Sequence, residues 1–120
     1  MSRRYLTPQE AMSALNLGKG VEAFLGGFSN EQGKCIRWVS FSKSNQSVLA
    51  KVWESIDEGS EDYLDVYSFS PANGEWDEAV KAIEATTIQE AAEKFELENL
   101  NLVNSGVVQD EYDDFINANT

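Results

Sequence analysis

Residues 34–56 read KCIRWVSFSKSNQSVLAKVWESI. β-Branched and aromatic residues crowd into Lys34–Lys43 and again into Val48–Ile56, while Ser44–Ser47 has the polar composition of a turn. The stretch therefore predicts two strands joined by a short link, and a short link requires antiparallel neighbours. The same pattern recurs on either side. Val21–Phe28 precedes the turn-like Asn30–Gly33, and Tyr63–Ser70 follows the turn-like Asp57–Asp62, giving four candidate strands in a row.

Helical signals flank this block. Thr7-Pro8-Gln9-Glu10 is a capping box with proline at the first helical position, and Gly18 stands where the helix should stop, so a helix is predicted from Pro8 to Leu17. Beyond Pro71-Ala-Asn-Gly74 the period changes. Trp76, Ala79, Val80 and Ile83 fall at i, i+3, i+4 and i+7, the stripe of an amphipathic helix, and Glu75, Asp77 and Glu78 stand at its start. Thr87-Ile-Gln-Glu90 is a second capping box, with Ile88, Ala91, Ala92 and Phe95 as the next stripe. The two helices are expected to cover one face of the sheet. Leu97, Leu100, Leu102 and Val103 suit a last strand or a packed coil, and Tyr112, Phe115 and Ile116 suit one face of a closing helix. The expected fold is α+β: an antiparallel sheet of four or five strands, an N-terminal helix and two or three C-terminal helices, in one domain spanning residues 1–120.

The chain has 120 residues, 42% of them hydrophobic, enough to bury a core and well above the composition of disordered chains. Met1–Pro8 has a basic start but no apolar run behind it, and no stretch is long enough to span a membrane, so a cytoplasmic protein is expected. The single Cys35 lies beside Lys34 and Arg37, which would favour a thiolate, but no histidine exists to act as its base. A small residue packed in a strand is the simpler reading.

Charge is divided along the sequence. Residues 1–52 carry a net charge of +4 and residues 53–120 a net charge of −16, for a total of −12. The complete lack of histidine removes the commonest general base, the Ser-His-Asp and Cys-His systems and most zinc or iron sites. Gly18, Gly20, Gly26, Gly27 and Gly33 match neither the Walker nor the dinucleotide spacing. Asp110-Glu-Tyr-Asp-Asp114 gathers hard oxygen ligands, yet lacks the alternation and central glycine of a calcium loop. No catalytic residue, cofactor or designed metal site is indicated.

Three acidic groups remain. Glu54, Asp57, Glu58, Glu61, Asp62 and Asp65 form a run without a neighbouring cation in sequence; Asp110, Glu111, Asp113 and Asp114 are interleaved with Tyr112 and Phe115. Glu75, Asp77 and Glu78 have a ready explanation, because carboxylates at a helix start stabilise its dipole. A solvated face is the plain alternative for all three, but the excess is larger than solubility needs and self-repulsion of that size costs stability. Residues two apart on a strand stand about 7 Å apart, and residues three or four apart on a helix about 5 to 6 Å apart. Ordinary elements can thus hold carboxylates on the scale of a phosphate backbone. Such a surface suits a groove built for DNA and repels DNA, RNA and anionic membranes.

In size, acidity, lack of catalytic equipment and α+β pattern, the chain resembles the small acidic bacterial and phage DNA-mimic proteins. These occupy the DNA-binding surface of restriction enzymes, repressors or histone-like nucleoid proteins such as HU. The resemblance implies a non-enzymatic inhibitor, monomeric or weakly dimeric, whose partner is a basic DNA-binding protein. It is also similar to the acidic immunity proteins that neutralise basic nuclease toxins, and a small carboxylate-based enzyme is the third reading. Under the first two, Glu54, Asp57, Glu58, Glu61, Asp62, Asp65, Asp110, Glu111, Asp113 and Asp114 are the partner-binding candidates. The basic first half departs from a uniformly acidic mimic. If Arg37, Lys43 and Lys51 project together they form a positive face, and Trp38, Trp53 and Trp76 are either core residues or an aromatic hot spot.

Overall fold

The hairpin of residues 34–56 lies at the centre of the sheet. A computed structural model describes residues 5–31, 33–44, 46–57, 59, 69, 79–97, 102–104 and 108–118. Its elements are α1 (Pro8–Asn16), β1 (Val21–Asn30), β2 (Gly33–Ser44), β3 (Ser47–Ile56), β4 (Lys81–Ala85), α2 (Ile88–Lys94), β5 (Val103–Asn104) and α3 (Val108–Ala118). The five strands pair antiparallel in the order β4-β3-β2-β1-β5. The α+β class, the five-stranded antiparallel sheet and the N-terminal helix agree with the sequence. Two helices, α2 and α3, follow among the described residues.

Register decides which side chains share a face. Val39 lies opposite Val52 and Phe41 opposite Ala50, while Trp38 lies opposite Trp53 on the reverse side. The first face carries Val21, Ala23, Val39, Phe41, Val48, Ala50 and Val52, packed under Ala11, Ala14 and Leu15 of α1 and Ile88 and Ala91 of α2. The second carries Ile36 and Trp38, with Phe24 and Trp53 beside them, under Val108, Tyr112 and Phe115 of α3; Phe69 joins this cluster. A half-buried antiparallel strand shows strict alternation, whereas Cys35–Ile36 and Trp38–Val39 are buried in succession because both faces are covered. α2 and α3 thus lie on opposite faces; of the two helices expected to share one face, α2 covers the first face and the other is a strand in its described part. α3 approaches β1 closely at Gly27, where a Cβ would stand 2.7 Å from Cζ of Phe115.

Both predicted N-caps form. Thr7 accepts from the Glu10 N–H and Glu10 accepts from the Thr7 N–H, closing the box, and Gly18, at φ 82°, ends α1 as expected. Thr87 likewise caps α2 by accepting from the Glu90 N–H at 3.0 Å.

The helix expected from the Trp76–Ile83 stripe is corrected in its described part. Lys81–Ala85 is a strand, with Ile83 opposite Ala50 and Ala85 opposite Val48, and Val80 is exposed rather than in a core stripe. Lys-Ala-Ile-Glu-Ala has good helix propensity, but without β4 the second edge of β3 would leave its backbone groups to find other partners. The expected strand Tyr63–Ser70 lies outside the described residues apart from Phe69, and Trp76 lies outside them too.

Candidate acidic interface

Strand register answers the first question about the acidic residues, which is whether cations neutralise them. Glu54 lies directly across the strand pair from Arg37, and its Oε2 accepts from Nε and Nη2, each at 2.6 Å. The Arg37 guanidinium also sits 4.5 Å from the centre of the Phe28 ring. Glu54 therefore has a compensating cation, 17 residues away in sequence and invisible in a run of consecutive residues. This removes it from the group that sequence alone leaves uncompensated.

Asp57 continues the β3 ladder by one bond, its N–H donating to the Lys34 carbonyl at 2.9 Å. Its Oδ1 accepts a hydrogen bond from the Tyr112 hydroxyl. Tyr112 is fully buried. Burial first, and then the hydrogen bond and negative charge of Asp57, push its phenol well above the ordinary range. Glu111, on the next position of α3, is 8% exposed and accepts from the Tyr5 hydroxyl at 3.0 Å. Asp57 and Glu111 are thus tied inward, as Glu54 is.

The remaining carboxylates of α3 lie on its other side. Val108, Tyr112 and Phe115 face the sheet, so Asp110, Asp113 and Asp114 occupy the outer side at i, i+3 and i+4. Asp110 and Asp114 are exposed and Asp113 is half-buried. Asp110 and Glu111 also stand in the first turn, where the helix dipole favours them. Glu58, Glu61, Asp62 and Asp65 lie outside the described residues, as do Glu75, Asp77 and Glu78.

The suggested positive face does not assemble. Arg37 and Lys43 project from the side of the sheet that carries α1 and α2, whereas Lys51 lies opposite Ser40 on the reverse side, its Nζ 5.9 Å from the Trp53 ring centre. Lys43 donates to Asn16 Oδ1 at 3.2 Å. Trp38 is buried, and the half-buried Trp53 donates from Nε1 to Ser40 Oγ at 2.9 Å, which favours the core reading for both. Cys35 is buried in β2.

Among the described residues no three Cys, Asp or Glu side chains converge as metal ligands, and no helix is long and apolar enough to cross a membrane. What the sequence does not reveal is the pair of tyrosines, Tyr5 and Tyr112, that orient carboxylates. The aromatic-acidic interleaving at 110–115 marks Tyr112 as a docking residue, but its partner is 55 positions away. No family model matches the chain, and neither a curated protein nor a solved structure is similar to it.

Proposed function

We propose that the protein acts by binding rather than catalysis, occupying the DNA-binding surface of a basic DNA-binding protein, such as a histone-like nucleoid protein of the HU kind, and regulating its contact with DNA. The observation that carries this reading is the concentration of charge: −16 over residues 53–120, with Asp110, Asp113 and Asp114 on the outer side of a helix whose inner side is anchored by aromatic rings. Their spacing of about 5 to 6 Å suits a groove lined by lysine and arginine. An acidic surface also draws a basic partner by long-range attraction and keeps nucleic acid away. The same reading makes the chain a cytoplasmic protein, monomeric or weakly dimeric.

The ten candidate carboxylates separate by role. Glu54, Asp57 and Glu111 are held by Arg37, Tyr112 and Tyr5, and contact with the target is assigned to Asp110, Asp113 and Asp114 by their place on the outer side of α3, with Glu58, Glu61, Asp62 and Asp65 kept as candidates from the sequence. Replacing Asp110, Asp113 and Asp114 by Asn keeps size and removes charge. Where each faces a basic residue, the triple variant binds a purified HU-type protein more weakly by roughly 1 kcal/mol or more per carboxylate. Glu54→Gln, already paired within the sheet, is the control and leaves affinity within a factor of two. Equal binding by the triple variant and the parent would reduce the outer face of α3 to a solvated surface.

A further inference from the structure

We propose that the groove between α1 and the β5 edge of the sheet binds the C-terminal segment of a polypeptide that ends in an apolar residue with a free carboxylate. α1 packs on the first face of the sheet and α3 on the second, so this site is separate from the acidic helix. The groove is an open cleft of about 510 Å³. One wall is a side of α1, where Gln9, Ser13 and the C-cap Leu17 follow at i, i+4 and i+8, with Glu10 and Ala14 beside them. Leu6 and Asn104 line the other wall. The Leu6 N–H donates to the Leu102 carbonyl at 2.7 Å beside β5, and Asn104 lies opposite Val21, which places Leu6 towards the start of α1 and Asn104 towards Lys19.

Chemistry changes along the groove. At one end Glu10 supplies a negative charge, its Oε1 accepting from the Thr7 N–H at 2.9 Å. At the other end no carboxylate among the described residues pairs with the exposed Lys19 ammonium, and Leu17, 74% exposed, is the most exposed of the large hydrophobic side chains described. A carboxylate is therefore drawn to the Lys19 end and repelled from the Glu10 end, and an apolar side chain joined to it gains by covering Leu17. Polar neutral groups stand along the walls. The side chains of Gln9, Ser13 and Asn104 both donate and accept, which matches the N–H and C=O groups of a peptide backbone and offers nothing to an alkyl chain. Length agrees too. The helix rises about 12 Å from Gln9 to Leu17, the span of roughly four extended residues.

The test follows amide NMR signals of the full chain during titration with acetyl-Ala-Ala-Ala-Leu carrying a free carboxylate. Salt is held at about 0.15 M, where repulsion by the net charge of −12 is screened beyond about 8 Å. Saturable shifts are expected at Ser13, Leu17, Gly18, Lys19 and Asn104. The same peptide with a C-terminal amide, and the parent peptide with Lys19→Gln, should each bind roughly fivefold more weakly, the loss of one exposed ion pair. Both changes together should cost no more than either, because they remove the same contact. Leu17→Ser should weaken binding about tenfold through lost apolar cover. Both side chains are exposed, so the variants are expected to fold. Absence of saturable shifts at the groove, equal binding of the amidated peptide, or octanoate binding as tightly as the peptide would overturn the proposal.

Discussion

Glu96 holds the least favourable backbone geometry described. It ends α2 in the left-handed region at φ 60°, with its N–H donating to the Glu93 carbonyl at 3.0 Å and the Leu97 N–H donating to the Ala92 carbonyl at 2.9 Å. This is the same closure that Gly18 makes after α1, where Gly18 and Lys19 donate to Leu15 and Ala14, each at 2.9 Å. A side chain in that region costs about 1–2 kcal/mol, and an acidic one at a helix C-terminus also opposes the dipole. Glu96→Gly is predicted to raise unfolding stability by about 1 kcal/mol, read by urea denaturation; a loss of stability would contradict this account of the turn. The end of α1 was legible because Gly18 announces it, and the end of α2 was not because nothing distinguishes Glu96 from its neighbours. At the start of α2, the capping box Thr87–Glu90 closes only by half. The Glu90 carboxylate turns to the hydroxyl and N–H of Thr86, and this contact, with help from Lys94, holds its pKa below the ordinary value.

α3 is the element on which both the core and the proposed surface depend, and its attachment should be sensitive to alkali. The Tyr112 phenol is raised in the folded state, so its contribution is complete below the unfolded pKa of about 10 and is lost as pH rises from there through the folded value. The parent is therefore predicted to lose more stability than Tyr112→Phe as pH rises above about 10, measured by denaturant unfolding of both proteins across that range. Parallel losses would show that the phenol titrates alike in both states. The sequence makes α3 visible through Tyr112, Phe115 and Ile116 on one side and Asp110, Asp113 and Asp114 on the other. It makes β1, β2 and β3 visible through their composition. β4 was hidden because Lys81–Ala85 satisfies a helical stripe as well as a strand alternation, and only the free edge of β3 decides between them. The pairing of Arg37 with Glu54, and of Tyr112 with Asp57, was hidden for a related reason: both depend on which residues the sheet register and the docked helix bring together.

Over the whole chain, the net charge of −12 makes a steep electrostatic prediction. If carboxylates carry recognition, affinity for a basic partner falls strongly as salt rises, since interactions beyond about 10 Å are screened at 0.1 M ionic strength. An affinity that stays flat from low to high salt would point to an apolar interface instead. The immunity-protein reading shares this salt dependence, because it too places an acidic surface on a basic nuclease. The two part over what happens to DNA: a mimic takes the place of the duplex, whereas an inhibitor bound beside a nuclease site leaves the duplex where it is. The most direct measurement is to titrate the protein into a preformed complex of an HU-type protein with fluorescently labelled duplex DNA and follow anisotropy at low salt. The account predicts that anisotropy falls to the value of free DNA as the protein saturates its partner; DNA that stays bound while the protein binds, or that is unaffected at any concentration, would contradict it.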